Sequence, residues 1–276
     1  MRDQGERELV FLKLGGSLIT DKTRAYTVRD DTLGRLAMEI RSALDAVPDT
    51  RLLIGHGSGS YGHWAAKEYD TRAGVTTRRE WRGFAEVGAA ASRLNRIVTD
   101  VLLNAGIPVL SVQPSATAWA TDGRLVRFDV RPLLSAMEKR LVPVVFGDIC
   151  WDDVRGGTII STEDIFLYLA GQMHPDRVLM LGEVPGILHR SGQVVTSVSP
   201  DDFDALQGVL GGSRGVDVTG GMTTKVARML QLVRESERTT VQIASGLEPE
   251  LLRRVLVDPS AREGTLVSAS TSPGSR

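Results

Sequence analysis

A single cysteine, Cys150, stands in the whole chain. An intramolecular disulfide cannot form, which excludes the stapled secreted scaffolds and fits a reducing compartment. Long apolar runs are missing too. No stretch approaches the roughly 20 apolar residues that a membrane-spanning helix needs. The opening residues Met1 to Glu8 are charged, unlike a signal peptide, so a cytoplasmic location is expected. Excess charge of one sign is equally absent, since 33 basic and 34 acidic residues leave a net charge of −1. Nucleic acid and anionic membrane surfaces are therefore not expected partners, and any power to bind anions has to come from local arrangement.

Lysine is the scarcest charged residue. Of the 33 basic side chains only Lys13, Lys22, Lys67, Lys139 and Lys225 are lysine, and the other 28 are arginine. A bias toward arginine across a whole genome would produce this. Against such a background, each surviving lysine is a candidate for a position that needs a compact ammonium charge.

What is present is ordinary for a globular protein: 42% apolar and 24% charged residues over 276 positions, enough for one large core. Apolar strand-like runs alternate with amphipathic helical stretches. Strands are expected at Leu9 to Leu14, Leu52 to Gly55, Pro108 to Val112, Val142 to Phe146, Arg177 to Leu181 and Thr240 to Ala244. Helices are expected at Asp31 to Ala46, Trp81 to Leu103, Arg131 to Lys139, Glu163 to Gln172 and Met222 to Ser236. Turn signals from Asp152 to Thr158 predict a hairpin. The alternation implies an α/β fold with a mostly parallel sheet covered on both faces. A lobe boundary is expected near Met173 to Arg177, and the Ser-, Thr-, Pro- and Gly-rich tail from Ser268 to Arg276 is expected to be disordered.

Three glycine-bearing turns stand out. They are Lys13-Leu14-Gly15-Gly16-Ser17, the stretch His56-Gly57-Ser58-Gly59-Ser60-Tyr61-Gly62-His63, and Thr219-Gly220-Gly221-Met222-Thr223-Thr224-Lys225. Glycine lets backbone N–H groups approach a phosphate, and a helix start adds a favourable dipole. The second turn also fits the dinucleotide pattern G-x-G-x-x-G, for which Glu80 or Glu86 would supply the acid about 20 residues on. The Walker pattern is absent. A kinase that divides its phosphate contacts among several turns, a nicotinamide-dependent oxidoreductase and a non-catalytic effector-binding module all stay open on these residues.

Taken together, the turns resemble the amino acid kinase superfamily, and within it the isopentenyl phosphate kinase branch. The resemblance runs from Phe11 to about Leu256. It rests on Lys13 to Ser17 with Asp21-Lys22, the turn ending in His63, Ser111 to Ser115, Gly147-Asp148-Ile149, and Asp217 to Met222. It implies a three-layer αβα sandwich with a mainly parallel central sheet, an acceptor lobe over about 8–174 and a nucleotide lobe over about 175–267. It also implies ATP with Mg²⁺, isopentenyl phosphate as acceptor and a homodimer. A sister kinase for another small acid, such as fosfomycin or an amino acid, is the nearest rival.

Roles follow from the resemblance residue by residue. Lys13 and Lys22 would hold β- and γ-phosphate oxygens, and Lys225 would reach the nucleotide from the other side. Gly15, Gly16, Ser17, Gly59, Asp148, Gly220 and Gly221 would complete the nucleotide contacts. Asp164 would organise the lysines. Ser58, Gly59, His63, Ser161 and Thr162 would meet the acceptor, with His63 as its phosphate clamp. Phe84, Val87 and Gly88, on one helical face, would line the alkyl tail, and Gly88 is expected to leave volume there. His56 is expected to be structural. Two departures from the family pattern are visible: Leu181-Gly182-Glu183-Val184-Pro185-Gly186 replaces its usual acidic loop, and Ser58 stands where it usually has glycine.

Overall fold

The computed structural model describes residues 7–62, 69–189, 191–202, 221–236 and 238–270, with the backbone alone over 221–225. Its centre is strand β1 (Leu9–Leu14), buried at every position. A strand apolar on both faces belongs in the middle of a parallel sheet with both faces covered. Parallel to β1 on one side lie β2 (Arg51–His56), β6 (Val142–Phe146) and the edge strand β3 (Val109–Ser111). On the other side lie β9 (Arg177–Gly182) and β11 (Thr240–Ser245), also parallel. The antiparallel strand β12 (Thr265–Val267) and β10 (Ser197–Val198) finish an eight-stranded sheet. The expected fold class is what forms.

Alternation along β1 splits the core in two. Leu9 and Phe11 point into one cluster with Ile165, Phe166 and Leu169 of α6 (Thr162–Met173) and Met229 and Val233 of α7 (Gly221–Glu235). Val10, Leu12 and Leu14 point into the other, with Leu36 and Ile40 of α2 (Asp30–Ala46), Leu94 and Val98 of α3 (Arg78–Asn104), and Leu252 of α8 (Leu251–Val257). Each fully buried Leu, Ile or Phe contributes about 1.5–3 kcal/mol. The short helices α1 (Gly16–Ile19) and α4 (Pro114–Thr117) complete turns, and α5 (Arg131–Glu138) covers the sheet beside β6.

A second sheet of four strands was not anticipated. It consists of β4 (Ala118–Thr121), β5 (Arg124–Phe128), β7 (Asp148–Asp152) and β8 (Gly156–Ile160) in the order β5-β4-β7-β8. The β7–β8 hairpin matches the expected turn after Asp152. The β4–β5 hairpin turns on Asp122 and Gly123, both in the left-handed region (φ 49° and 76°), the backbone a two-residue hairpin turn demands. No helix among the described residues is long and apolar enough to cross a membrane.

Candidate active site

Lys13 follows the β1 alternation of Leu9 and Phe11, so its side chain emerges toward α6. There its ammonium Nζ donates to Glu163 Oε1 at 2.7 Å, and both side chains are less than one-tenth exposed. The sequence placed Asp164 in this role. The structure corrects that pairing. Ser161 caps α6, with its Oγ accepting from Asp164 N–H at 3.1 Å while Asp164 Oδ2 accepts from Ser161 N–H at 2.9 Å. The other Asp164 oxygen meets Arg228 of α7. Successive helical residues are rotated by about 100°. The acid that folds back on the cap therefore leaves the one before it to face the strand.

The turn after β1 sits hard against its neighbours. Gly15 N–H donates to Leu181 O at the end of β9 (2.8 Å). A Cβ on Gly16 would lie 2.5 Å from Gly59 N, and one on Gly57 would lie 2.8 Å from Gly16 N. The first two glycine turns thus pack backbone on backbone, a contact no side chain allows. Gly59 has φ +51°, and Gly62 N–H donates to Ser58 O at 3.0 Å, with the Ser58 hydroxyl against Gly62. Ser58 is therefore accommodated by the glycine facing it. These turns gather at the carboxyl ends of β9, β1, β2 and β6, where ligands of parallel α/β sheets bind.

Beneath the second turn, His56 is fully buried and stacked on Phe146 with ring centroids 5.5 Å apart. Its Nδ1 is 3.1 Å from Gly57 O and its Nε2 3.3 Å from Asn95 Oδ1. Burial first, and the Lys13 charge to a smaller extent, depress its pKa to about 4, so the ring is neutral at pH 7. Thr162 Oγ donates to His56 O at 2.6 Å and ties β2 to α6. Asp148, just past β6, accepts from Ile149 N–H at 2.9 Å and Ser115 N–H at 3.2 Å, and burial raises its pKa. Lys22 lies exposed in the loop after α1, closed by the Thr20–Val28 bridge.

Along α3, Phe84 and Val87 are buried; Phe84 faces the second sheet, 5.4 Å from the Trp151 ring, while Val87 joins the core cluster of Val10, Leu12 and Leu14. Gly88 does not leave the expected volume: a Cβ there would come within 2.6 Å of Ile149 Cδ1. Ile149 pairs across the hairpin with Ile159, and both are half-buried. The isoleucines belong to this apolar wall, which pattern-reading along α3 alone could not show. Beside it, Glu80 is consumed by the α3 capping box, and Glu86 engages Arg82 and Tyr69. Neither acid stands at a strand end, so the dinucleotide fingerprint lacks its ribose ligand.

The departing loop after β9 is tied down rather than open. Gly246 N–H donates to Gly182 O (2.8 Å), and Glu183 pairs with Arg29 at 2.9 Å. His63 and Gly220 lie outside the described residues, as does the side chain of Lys225. Ser17 sits in α1. The described residues hold no cluster of three Asp, Glu, His or Cys side chains fit to cage a metal.

Residues 8–245 match the model of the amino acid kinase family. The isopentenyl phosphate kinase of Methanocaldococcus jannaschii is 36% identical over 225 residues, covering 79% of this chain and 85% of that one. That of Methanothermobacter thermautotrophicus is 34% identical over 261 residues, covering 88% and 95%. An X-ray structure of isopentenyl phosphate kinase superposes with a TM-score of 0.79 at 28% identity, covering 94% of this chain and all of the other.

Proposed function

The chain belongs to the amino acid kinase family, and within it to the isopentenyl phosphate kinases; from that premise we propose that it phosphorylates isopentenyl phosphate to isopentenyl diphosphate with ATP. An oxygen of the acceptor phosphate attacks the γ-phosphorus, a new P–O bond forms in line, and the bond to the β-phosphate oxygen breaks to release ADP. The acceptor is already largely dianionic at neutral pH, because its second pKa is near 6. The protein therefore needs no general base, and its work is positioning and charge stabilisation.

The observation that carries this reading is the buried Lys13 ammonium, fixed by Glu163 where the first two glycine turns meet. Held there, it faces developing charge on the transferring phosphoryl group at no cost of reorganisation. Lys22 and Lys225 supply the further positive charge, Gly220 and Gly221 a third set of backbone N–H groups, and His63 clamps the acceptor phosphate and offsets the charge between it and the γ-phosphate. Mg²⁺ arrives on ATP as part of the substrate. A cation that keeps most of its waters and rides on phosphates needs no protein cage. The wall of Phe84, Val87, Ile149 and Ile159 is apolar and suits an alkyl tail; a carboxylate-bearing acceptor would need a polar partner there. The reading extends to a homodimer, which light scattering checks.

The test is ADP release with ATP across a panel of isopentenyl phosphate, dimethylallyl phosphate, fosfomycin, N-acetylglutamate and nucleoside monophosphates. Turnover highest with isopentenyl phosphate is expected. Preference for a carboxylic acid would overturn the acceptor assignment and leave the family standing. The same assay with GTP and CTP reports how the tied-down Gly182–Gly186 loop sets nucleotide preference.

A further inference from the structure

The loop that carries Lys22 is built into the second glycine turn by two side chains to which no role has so far been given. Thr20 and Ser60 are both completely buried. Thr20 Oγ donates to Gly16 O at 2.7 Å, the ordinary back-bond of a threonine four residues on. The same oxygen accepts from Ser60 N–H at 2.8 Å, forty residues away in the chain. Ser60 Oγ in turn accepts from Thr27 N–H (3.2 Å) and donates to Thr27 O (3.3 Å). Thr27 O also accepts from Asp21 N–H at 3.0 Å, and Arg29 N–H donates to Ile19 O at 2.9 Å, which closes the neck of the loop. Tyr26 rests edge-on against Tyr61, the residue after Ser60, with centroids 5.3 Å apart. Among the described residues, the hydrogen bonds that join the Lys22 loop to the second glycine turn run through Thr20 and Ser60. Lys22 itself makes no ion pair among the described residues that could hold it independently.

We propose that Thr20 and Ser60 are positioning residues for phosphoryl transfer, locking the Lys22 loop to the acceptor turn so that the lysine and the acceptor phosphate are presented in one fixed register. The inference rests on the reading of Lys22 and the 57–62 turn given above. Its physical basis is that a misplacement near 1 Å at a reacting group costs on the order of 100-fold in rate. Two loops joined by buried hydrogen bonds cannot drift apart by that much.

The experiment is a set of double-mutant cycles read by steady-state ADP release. Thr20→Val and Ser60→Ala are expected to lower kcat at least tenfold with KM for ATP within twofold of wild type, and Thr20→Ser to restore kcat to within twofold. In a Lys22→Ala background, Thr20→Val is expected to cost less than twofold, because the group it positions is gone. An equal loss in both backgrounds, or wild-type kcat in folded Thr20→Val, overturns the inference alone. Wild-type kcat in Lys22→Ala removes Lys22 from the reaction and takes down this inference together with that part of the proposed function. If Thr20→Val does not fold, Ser60→Ala carries the same cycle, since it leaves the Ser60 N–H to Thr20 bond in place.

Discussion

Lys13→Met, Glu163→Gln and the two combined separate what the buried pair does for the fold from what it does for the reaction. At 2.7 Å and an effective dielectric near 20, the two charges attract by about 6 kcal/mol before desolvation is counted. Desolvation takes back most of that, so the pair is close to neutral against well-packed uncharged residues, but removing one partner costs about 3–5 kcal/mol. Lys13→Met should therefore lose about that much stability, because a carboxylate only 8% exposed loses its ammonium. The combined variant, with neither charge, should lose less than the sum of the two single losses. Turnover should behave differently. Both variants that lack the ammonium should fall by about 100- to 1,000-fold in kcat, near 3–4 kcal/mol of barrier. Glu163→Gln keeps the ammonium but weakens its anchor and should lose about tenfold. Urea unfolding supplies the stabilities and ADP release the rates. If the loss in the combined variant equals the sum of the losses in Lys13→Met and Glu163→Gln, the pair is not energetically coupled. If Glu163→Gln turns over at the wild-type rate, Glu163 does not orient Lys13 for catalysis.

His56 is held neutral by burial, with a pKa near 4 against 6.5, so the unfolded chain binds its proton first as pH falls. The corresponding stability is present above pH 6.5 and is lost as pH drops toward 4, up to about 3 kcal/mol; urea midpoints at pH 7 and 4.5 should show a smaller difference in His56→Gln than in wild type, and equal differences would remove His56 as the cause. His63→Ala should lower kcat by about 100-fold while His63→Gln keeps a measurable part, since an amide still donates to the acceptor phosphate; full turnover in the alanine variant would show that no clamp is needed. Ile149→Ala should open the wall behind Gly88 and raise kcat/KM for ten-carbon relative to five-carbon prenyl phosphates, by roughly fourfold per CH₂ newly buried. Gly88→Ala should act oppositely by displacing the Ile149 methyl. An unchanged ratio in both folded variants would place the tail elsewhere.

The elements that carry the site were legible because their signals are local. Leu9–Leu14 and Val142–Phe146 are apolar on both faces, and both strands form over those residues. The second sheet was also signalled, by Asp122-Gly123 between two short alternating runs, a hairpin mark that is easily passed over when strands and helices alternate around it. The partner of Lys13 lay within reach of the same kind of reasoning. Ser161 and Asp164 have the three-residue spacing of a capping box. Assigning Asp164 to the cap frees Glu163, the neighbouring acid, for the strand end. What no local pattern could supply is anything set by two distant segments meeting. A glycine at position 88 looks like vacant volume until β7 brings Ile149 into it. A threonine at 20 and a serine at 60 look like ordinary loop residues until the two turns are seen to share their hydrogen bonds. The division has a physical origin. Phosphate cradles are made of consecutive backbone groups, so glycine spacing records them in the sequence. The register between one cradle and the next is made by side chains from different loops, and it exists only once β1 and β2 lie side by side. On the proposed reading, the binding turns of this chain are written in its sequence, and the alignment between them is kept in its tertiary contacts.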